Sequence, residues 1–406
     1  TLTAVGLDVA VGDIVRIESV QKLYTVLGMV TVLNDDMFVI VPFSFIDGFK
    51  INDKVFLQRD GLTIKCGNGL LGRVVNALGE PIDDLGKIRD LDTNAPINKE
   101  SMSPLDRGII DQKFATGVKA IDSMLTCGKG QKVGIFAGSG VGKSTLMGMI
   151  VQGCEATIKV IALVGERGRE IPEFIHYNLN NNLENTVIVT ATSDESPLMR
   201  KYAAFTAMSI AEYFRDKGHD VLLMMDSVTR FAMAQREIGL STGEPPVSRG
   251  YPPSVFALLP QLMERAGNSK KGSITAFFTV LVDGDDLNDP IADQSRSILD
   301  GHIVLTRDLT EQGFYPPINI LKSASRVIDK VVTKEHYNDF LKLKRVLSLI
   351  KENEVLIRVG AYKKGMDLEL DSAIAKKEKA REFLTQGTLE KYSFDEIVAN
   401  LRKVLI

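Results

Sequence analysis

Ala137-Gly138-Ser139-Gly140-Val141-Gly142-Lys143-Ser144-Thr145 is the stretch on which the reading of this chain turns. Glycines alternate with small residues ahead of a lysine. This is the pattern of a phosphate-binding loop, with Ala137 where the first glycine usually stands. Backbone N–H groups must turn inward around a phosphate chain, and a Cβ at the glycine positions would obstruct them. Ala137 changes little, because its position asks only for a small side chain. An apolar strand at 133–136 runs into the loop and a helix-competent stretch at 146–152 leaves it. That order aims the positive end of a helix dipole at the phosphates. The expected nucleotide cradle is therefore Gly138, Ser139, Gly140, Val141, Gly142, Lys143, Ser144 and Thr145. Lys143 would reach the β- and γ-phosphates, and Ser144 would hold Mg²⁺ through its hydroxyl.

Two acids extend the site. Val221-Leu222-Leu223-Met224-Met225-Asp226 is an apolar strand ending in a carboxylate. By itself Asp226 is an ordinary strand-end acid; beside a phosphate loop it can order a Mg²⁺ shell. Ile161-Ala162-Leu163-Val164-Gly165-Glu166-Arg167 places Glu166 just past another buried strand. Arg167, Arg169 and Glu170 follow, making a charge cluster at the sheet edge where ligands bind. Hydrolysis needs a carboxylate to polarise a water in line with the γ-phosphorus, and Glu166 is the candidate.

Working outward, 406 residues suggest two to three domains. Lys plus Arg is 49 against 52 Asp plus Glu, a net charge of −3, which gives no global attraction to nucleic acid. The hydrophobic and charged fractions, 44% and 25%, are those of a globular protein. Cys66, Cys127 and Cys154 lie far apart without a CxxC spacing, so neither a zinc site nor a disulfide framework is expected. His176, His219, His302 and His336 are equally scattered. No apolar run approaches the length of a membrane span, and no charged-then-apolar leader opens the chain. It starts at Thr1 rather than Met, and a trimmed N-terminal piece is the expectation.

Residues 1–66 read as short strands. Asn34-Asp35-Asp36 and Asp60-Gly61 are the turn signals, and 63–66 alternates polar and apolar. Closely spaced strands suggest a small barrel. The segment is slightly acidic, which argues against the basic groove of a nucleic-acid-binding barrel. Gly, Pro and Asp crowd residues 67–110, which read as an extended connection. From 111 to 330, apolar strands alternate with helical segments, the pattern of a mostly parallel sheet covered on both faces. After 331 the period turns helical: His336, Phe340, Leu343, Leu347 and Ile350 step by four and three, and further amphipathic segments lie at 371–385 and 393–405. The expected architecture is α/β: an N-terminal small β-barrel at 1–70, a connection and P-loop core with a mostly parallel sheet at 71–331, and a C-terminal helical domain at 332–406. Residues 244–256, punctuated by five Pro and Gly residues, read as a loop between core elements.

The phosphate loop, GERGRE at 165–170 and LLMMDS at 222–227, in this order, resemble the catalytic subunits of rotary ATPases. PPIN at 316–319 and SASR at 323–326 look like the signature of that superfamily. EPPVSRGYPPSVF at 244–256, GDDLNDPIAD at 284–293, ILDGHIVLT at 298–306, and Gly360-Ala361-Tyr362 with Gly365 look like the export ATPases of type III secretion. The resemblance covers essentially the whole chain and is strongest to the flagellum-specific branch.

What it implies is a RecA-like core and a cytoplasmic ATPase of ATP and Mg²⁺, at the cytoplasmic face of the inner-membrane export apparatus and peripheral to the membrane. It implies a homohexamer with export-gate and central-stalk partners, chaperone-bound substrates to unload and unfold, and a stator-like regulatory subunit on the missing N-terminus. By motif position Glu166 is the catalytic carboxylate, Arg167 its neighbour, Asp226 the magnesium-side acid, Arg326 an arginine finger reaching a neighbouring subunit's γ-phosphate, and Tyr315 the residue stacking on adenine. Without the resemblance Arg326 reads as a surface arginine and Tyr315 as a core or turn aromatic. Since one chain carries both Glu166 and Arg326, identical subunits could complete each other's sites. The rival readings are a virulence secretion ATPase, a rotary ATP synthase catalytic subunit, a hexameric RNA translocase of the terminator type and a nucleotide-binding but inactive regulatory subunit.

Overall fold

The computed structural model describes residues 1–20, 24–59, 61–282 and 286–406. Its N-terminal part is one antiparallel sheet of β1 (Leu2–Ala4), β2 (Ile14–Glu18), β3 (Thr25–Leu33), β4 (Phe38–Pro42) and β5 (Lys54–Gln58), in the order β1-β4-β3-β2-β5. Alternation sets its inner face: Val15 and Ile17 of β2 meet Val30, Phe38 and Ile40 while Arg16 between them points to solvent. β1 and β5 end the path without pairing to each other, so the small barrel is an open, half-barrel form. Asn34 closes the turn before β4, its N–H donating to Met37 O at 2.8 Å. The Asp60-Gly61 turn signal includes Asp60, which lies outside the described residues.

Thr63–Cys66 is a strand, as its alternation predicts, but it does not join this sheet. It pairs antiparallel with Thr93–Pro96 and turns Ile64 and Cys66 into the core. The Gly-rich segment between them is more than a connection. β6 (Val74–Val75) pairs parallel with the edge of the central sheet, and Arg73 holds the following turn through two 2.8 Å bonds to Asp83.

The central sheet adds β7 (Lys132–Ala137), β8 (Ile158–Glu166), β9 (Thr186–Thr192), β10 (Asp220–Asp226), β11 (Ser273–Leu281), β12 (Gly301–Val304) and β13 (Ala324–Ser325). Its order is β13-β12-β7-β11-β10-β8-β9-β6, parallel from β12 to β6, with β13 antiparallel at one edge. These strands are buried along nearly their whole length because helices cover both faces, as their apolar runs require. The covering helices used below are α1 (Lys119–Met124), α2 (Lys143–Gly153), α3 (Pro197–Asp216), α4 (Val228–Ser241), α5 (Pro253–Met263) and α6 (Pro290–Ile298). The Pro and Gly pattern predicts a loop over 244–256. In the structure α5 begins within it, because Pro253 occupies the first helical turn, where a missing N–H costs nothing.

The C-terminal helices α7 (Lys334–Glu352), α8 (Leu368–Leu384) and α9 (Phe394–Leu405) pack on one another and on α1. Phe340, Leu343, Ile397 and Leu401 continue the hydrophobic core of the central domain. Gln386 stitches the join: its Nε2 donates to Gly117 O at 2.9 Å and its Oε1 accepts from Lys119 N–H at 2.8 Å.

Candidate active site

Parallel strands put their carboxyl ends along one edge, and a ligand site forms where neighbouring connections diverge there. Ala137 of β7, Glu166 of β8 and Asp226 of β10 are such ends. After Ala137 the chain turns through Gly140 at φ +75° and Gly142 at φ +99°, both left-handed, and enters α2 at Lys143. A Cβ on Gly142 would approach Pro317, and one on Gly140 would stand in open space, so glycine is required there by backbone conformation. Gly138 is buried; Ser139, Gly140, Ser144 and Thr145 face outward, so the loop presents an open mouth. Arg307 Nη2 donates to Ser139 O at 3.3 Å, and Thr310 Oγ1 to Val141 O at 3.4 Å, bracing the loop from behind.

Lys143 is the centre of the charge cluster. Its Nζ lies 2.5 Å from Asp226 Oδ1 and 3.7 Å from Glu166 Oε1. Asp226 is nearly buried and also accepts from Thr279 Oγ1 of β11 at 2.7 Å. Gly165 makes the Glu166 placement possible. β8 slips register between Val164 and Glu166, Gly165 sits at φ +70°, and a Cβ there would come 3.0 Å from Cβ of Arg230. Burial pushes the Glu166 carboxyl up to about 7; the Asp226 charge adds to this and the Lys143 ammonium only partly offsets it. Burial alone would pull Lys143 down, but Asp226 and Glu166 outweigh it and leave its pKa raised.

Arg230 was not among the sequence-predicted residues. It lies in the first turn of α4, whose N-cap Ser227 directly follows Asp226 and accepts from Arg230 N–H at 3.2 Å. Its Nε is buried without a hydrogen-bond partner. Its place in the first turn after a strand-end acid was a usable signal. The other predicted residues stand outside this cluster. Arg167 is largely exposed and reaches Glu170 at 4.0 Å. The Arg326 side chain follows β13 and donates to Arg296 O of α6 at 3.3 Å. Tyr315 is 43% exposed, with its carbonyl held by Gln386 N–H at 2.8 Å, two residues ahead of the Pro317 that faces Gly142. Gly284 and Asp285 of the 284–293 string lie outside the described residues.

This arrangement of glycine turn, shared lysine and paired acids suits phosphoryl chemistry, and comparison with known proteins agrees. Residues 117–325 match the ATP synthase alpha/beta family, nucleotide-binding domain, and residues 332–403 match the T3SS EscN ATPase C-terminal domain. The "Flagellum-specific ATP synthase" of Helicobacter pylori strain J99 is 58% identical over 401 residues, covering 98% of this chain and 92% of that protein. The chain belongs to the family of flagellar and type III secretion ATPases. A "Type 3 secretion system ATPase" of Xanthomonas euvesicatoria is 44% identical over 404 residues, 99% of this chain and 91% of that protein. Among solved structures, the assembled ATPase EscN of the enteropathogenic E. coli type III secretion system superposes with a TM-score of 0.95 at 46% identity, covering 100% of this chain and 97% of that one. EscN in complex with its central stalk EscO gives 0.92 at 45% identity, with the same coverage. Like other members of the family, the chain is an ATPase with a P-loop core. No helix among the described residues is long and apolar enough to cross a membrane.

Proposed function

We propose that this chain is the Mg-ATP-hydrolysing motor of a flagellar type III export apparatus, acting as a homohexamer. The observation that carries the reading is a single ammonium, Lys143, shared by two carboxylates at the mouth of a phosphate loop. Such a lysine is held in place until an anion competes for it. The buried, unpartnered Nε of Arg230 fits the same anion. ATP enters along residues 138–145, with Tyr315 against the adenine. Lys143 turns from Asp226 to the phosphates. The freed Asp226 carboxylate and the Ser144 hydroxyl are an all-oxygen donor pair suited to Mg²⁺, which would neutralise phosphate charge there.

Glu166 then orients and deprotonates the attacking water. Its elevated pKa makes it a competent base near neutral pH, and the proton rests on its carboxyl. Arg167, beside it, follows the same loop. Arg326 lies away from its own chain's cluster, which supports a role in trans as the finger that neutralises charge on the transferring phosphoryl group of the next subunit. The flagellar branch is favoured over virulence secretion by the 58% identity to a flagellar relative against 44% to a secretion one. On this reading the protein is cytoplasmic and peripheral to the membrane at the export gate. It engages a central stalk, a stator-like regulatory subunit and chaperone-bound substrates.

Mixing decides the shared site. Glu166→Gln and Arg326→Ala chains, each inactive alone, regain part of wild-type ATP hydrolysis when combined, and specific activity rises with protein concentration. Concentration-independent activity without rescue would show a self-contained site and defeat the homohexameric reading.

A further inference from the structure

Between the N-terminal sheet and the central domain lies a cavity of about 1000 Å³. Met29, Val30 and Thr31 of β3 form one wall and residues 98–104 another. Helices α3, α4 and α5 close it with Phe205, Ile238 and Leu258. No residue of the phosphate loop, nor Glu166 or Asp226, lines it. Its size suits a small organic ligand, for which sites run to about 300–1,000 Å³.

Lys201 of α3 lines this cavity and is only 9% exposed. Among the described residues its ammonium has no hydrogen bond and no carboxylate within 4.0 Å. It lies 5.5 Å from the centre of the Tyr202 ring, and Glu244 acts on it from farther off than an ion pair. The other lining lysine contrasts with it: Lys99 is 44% exposed and has Glu212 at 3.8 Å and Asp216 at 3.9 Å. Gln235 of α4 is left half-satisfied at the same wall. Its Nε2 donates to Ser254 Oγ at 3.0 Å while its buried Oε1 has no partner. Burial pulls the Lys201 ammonium down to about 8, the mark of a cation stripped of water without full compensation. Buried charges are ordinarily paired, and this one borders a roomy space lined about equally by polar and apolar groups, with Phe205, Ile238 and Leu258 on the helix side.

We infer that this cavity binds a small amphipathic anion, whose charged oxygen group takes the Lys201 ammonium while its apolar body lies against Met29, Val30, Phe205, Ile238 and Leu258. The inference does not rest on the hydrolytic reading and concerns a site separate from the nucleotide cradle.

The probe is anilinonaphthalene sulfonate, an aromatic monoanion whose fluorescence rises in dry sites, titrated into the full chain and displaced with decanoate. Saturable binding at one equivalent per chain, reversed by decanoate, is expected. Lys201→Met, which keeps the length and removes the charge, weakens the dye by at least about tenfold, as loss of a charge-assisted contact should. Lys99→Met changes it by less than about twofold, and Glu244→Gln tightens it by removing the competing carboxylate. Circular dichroism checks that each variant is folded. Wild-type affinity in Lys201→Met, or the absence of a saturable dye site, overturns the inference. Should Lys201→Met not fold, unchanged affinity in Glu244→Gln overturns it on its own.

Discussion

Arg265 and Lys143 are both ion-paired cations of the parallel-sheet domain, the first fully buried and the second half-buried at the site mouth, and their partners differ in one respect. Arg265, fully buried, has every side-chain nitrogen engaged: Nε and Nη2 bind Glu212 at 3.1 and 2.8 Å, Nη2 also donates to Ser209 Oγ at 2.9 Å, and Nη1 to Ile97 O at 2.8 Å. One guanidinium meets one carboxylate, and the remaining donors find neutral acceptors. Lys143 stands between two carboxylates, one of which is pushed toward its neutral form, beside an arginine with an unpartnered nitrogen. The first cluster is complete without any ligand and fastens α3 to the chain after α5. The second is incomplete, and an anion entering it would meet donors already desolvated. Completeness marks the joint that holds the fold, and incompleteness the place where chemistry happens.

The widest separation between the two clusters should come from Glu166→Gln. Turnover falls by about 10²–10⁴-fold, the usual worth of a positioned general base, while ATP affinity measured by equilibrium binding stays near wild type. Near-normal turnover would remove Glu166 from its role and with it the contrast. Arg265→Met should do the reverse. It leaves Glu212 buried without its main partner and costs about 3–5 kcal/mol in urea unfolding, with hydrolysis by the surviving folded protein little changed. Adding Glu212→Leu should recover most of that loss; failure to recover would mean the pair is not the unit we describe.

Acidity separates the clusters more gently. Because Glu166 must be deprotonated to act and its carboxyl is raised to about 7, kcat/KM should rise with pH from 6 to 8, with half its change near 7. A flat profile across that range would contradict the raised carboxyl. The smallest effect belongs to the joint between the N-terminal sheet and the core. Ser196 caps α3 by accepting from Met199 N–H at 3.2 Å and donates to Phe43 O at 2.7 Å. Ser196→Ala should cost about 1 kcal/mol of unfolding free energy without altering turnover.

The phosphate loop, Glu166 and Asp226 were legible in the amino-acid order because each is a local event. A glycine turn must follow a strand and open a helix, and an acid must end an apolar strand. The five main parallel strands and the long C-terminal helices were legible for the same reason, since a short unbroken apolar run and a period of 3.6 both show within a dozen residues. What local pattern does not contain is the partner. Alternation marks Thr63–Cys66 as a strand but is silent on pairing, and the choice of Thr93–Pro96 over the N-terminal sheet belongs to tertiary packing, which turns Ile64 and Cys66 inward. Residues 67–110 read as a connection because two-residue β6 is too short to show a period, yet parallel pairing with β9 makes it the edge of the sheet. Only the folded chain sets one ammonium between carboxylates from two strands 60 residues apart, and leaves Lys201 facing an unfilled space between two domains. Those charges are costly or useful according to what surrounds them, and burial and distance are properties of three dimensions alone.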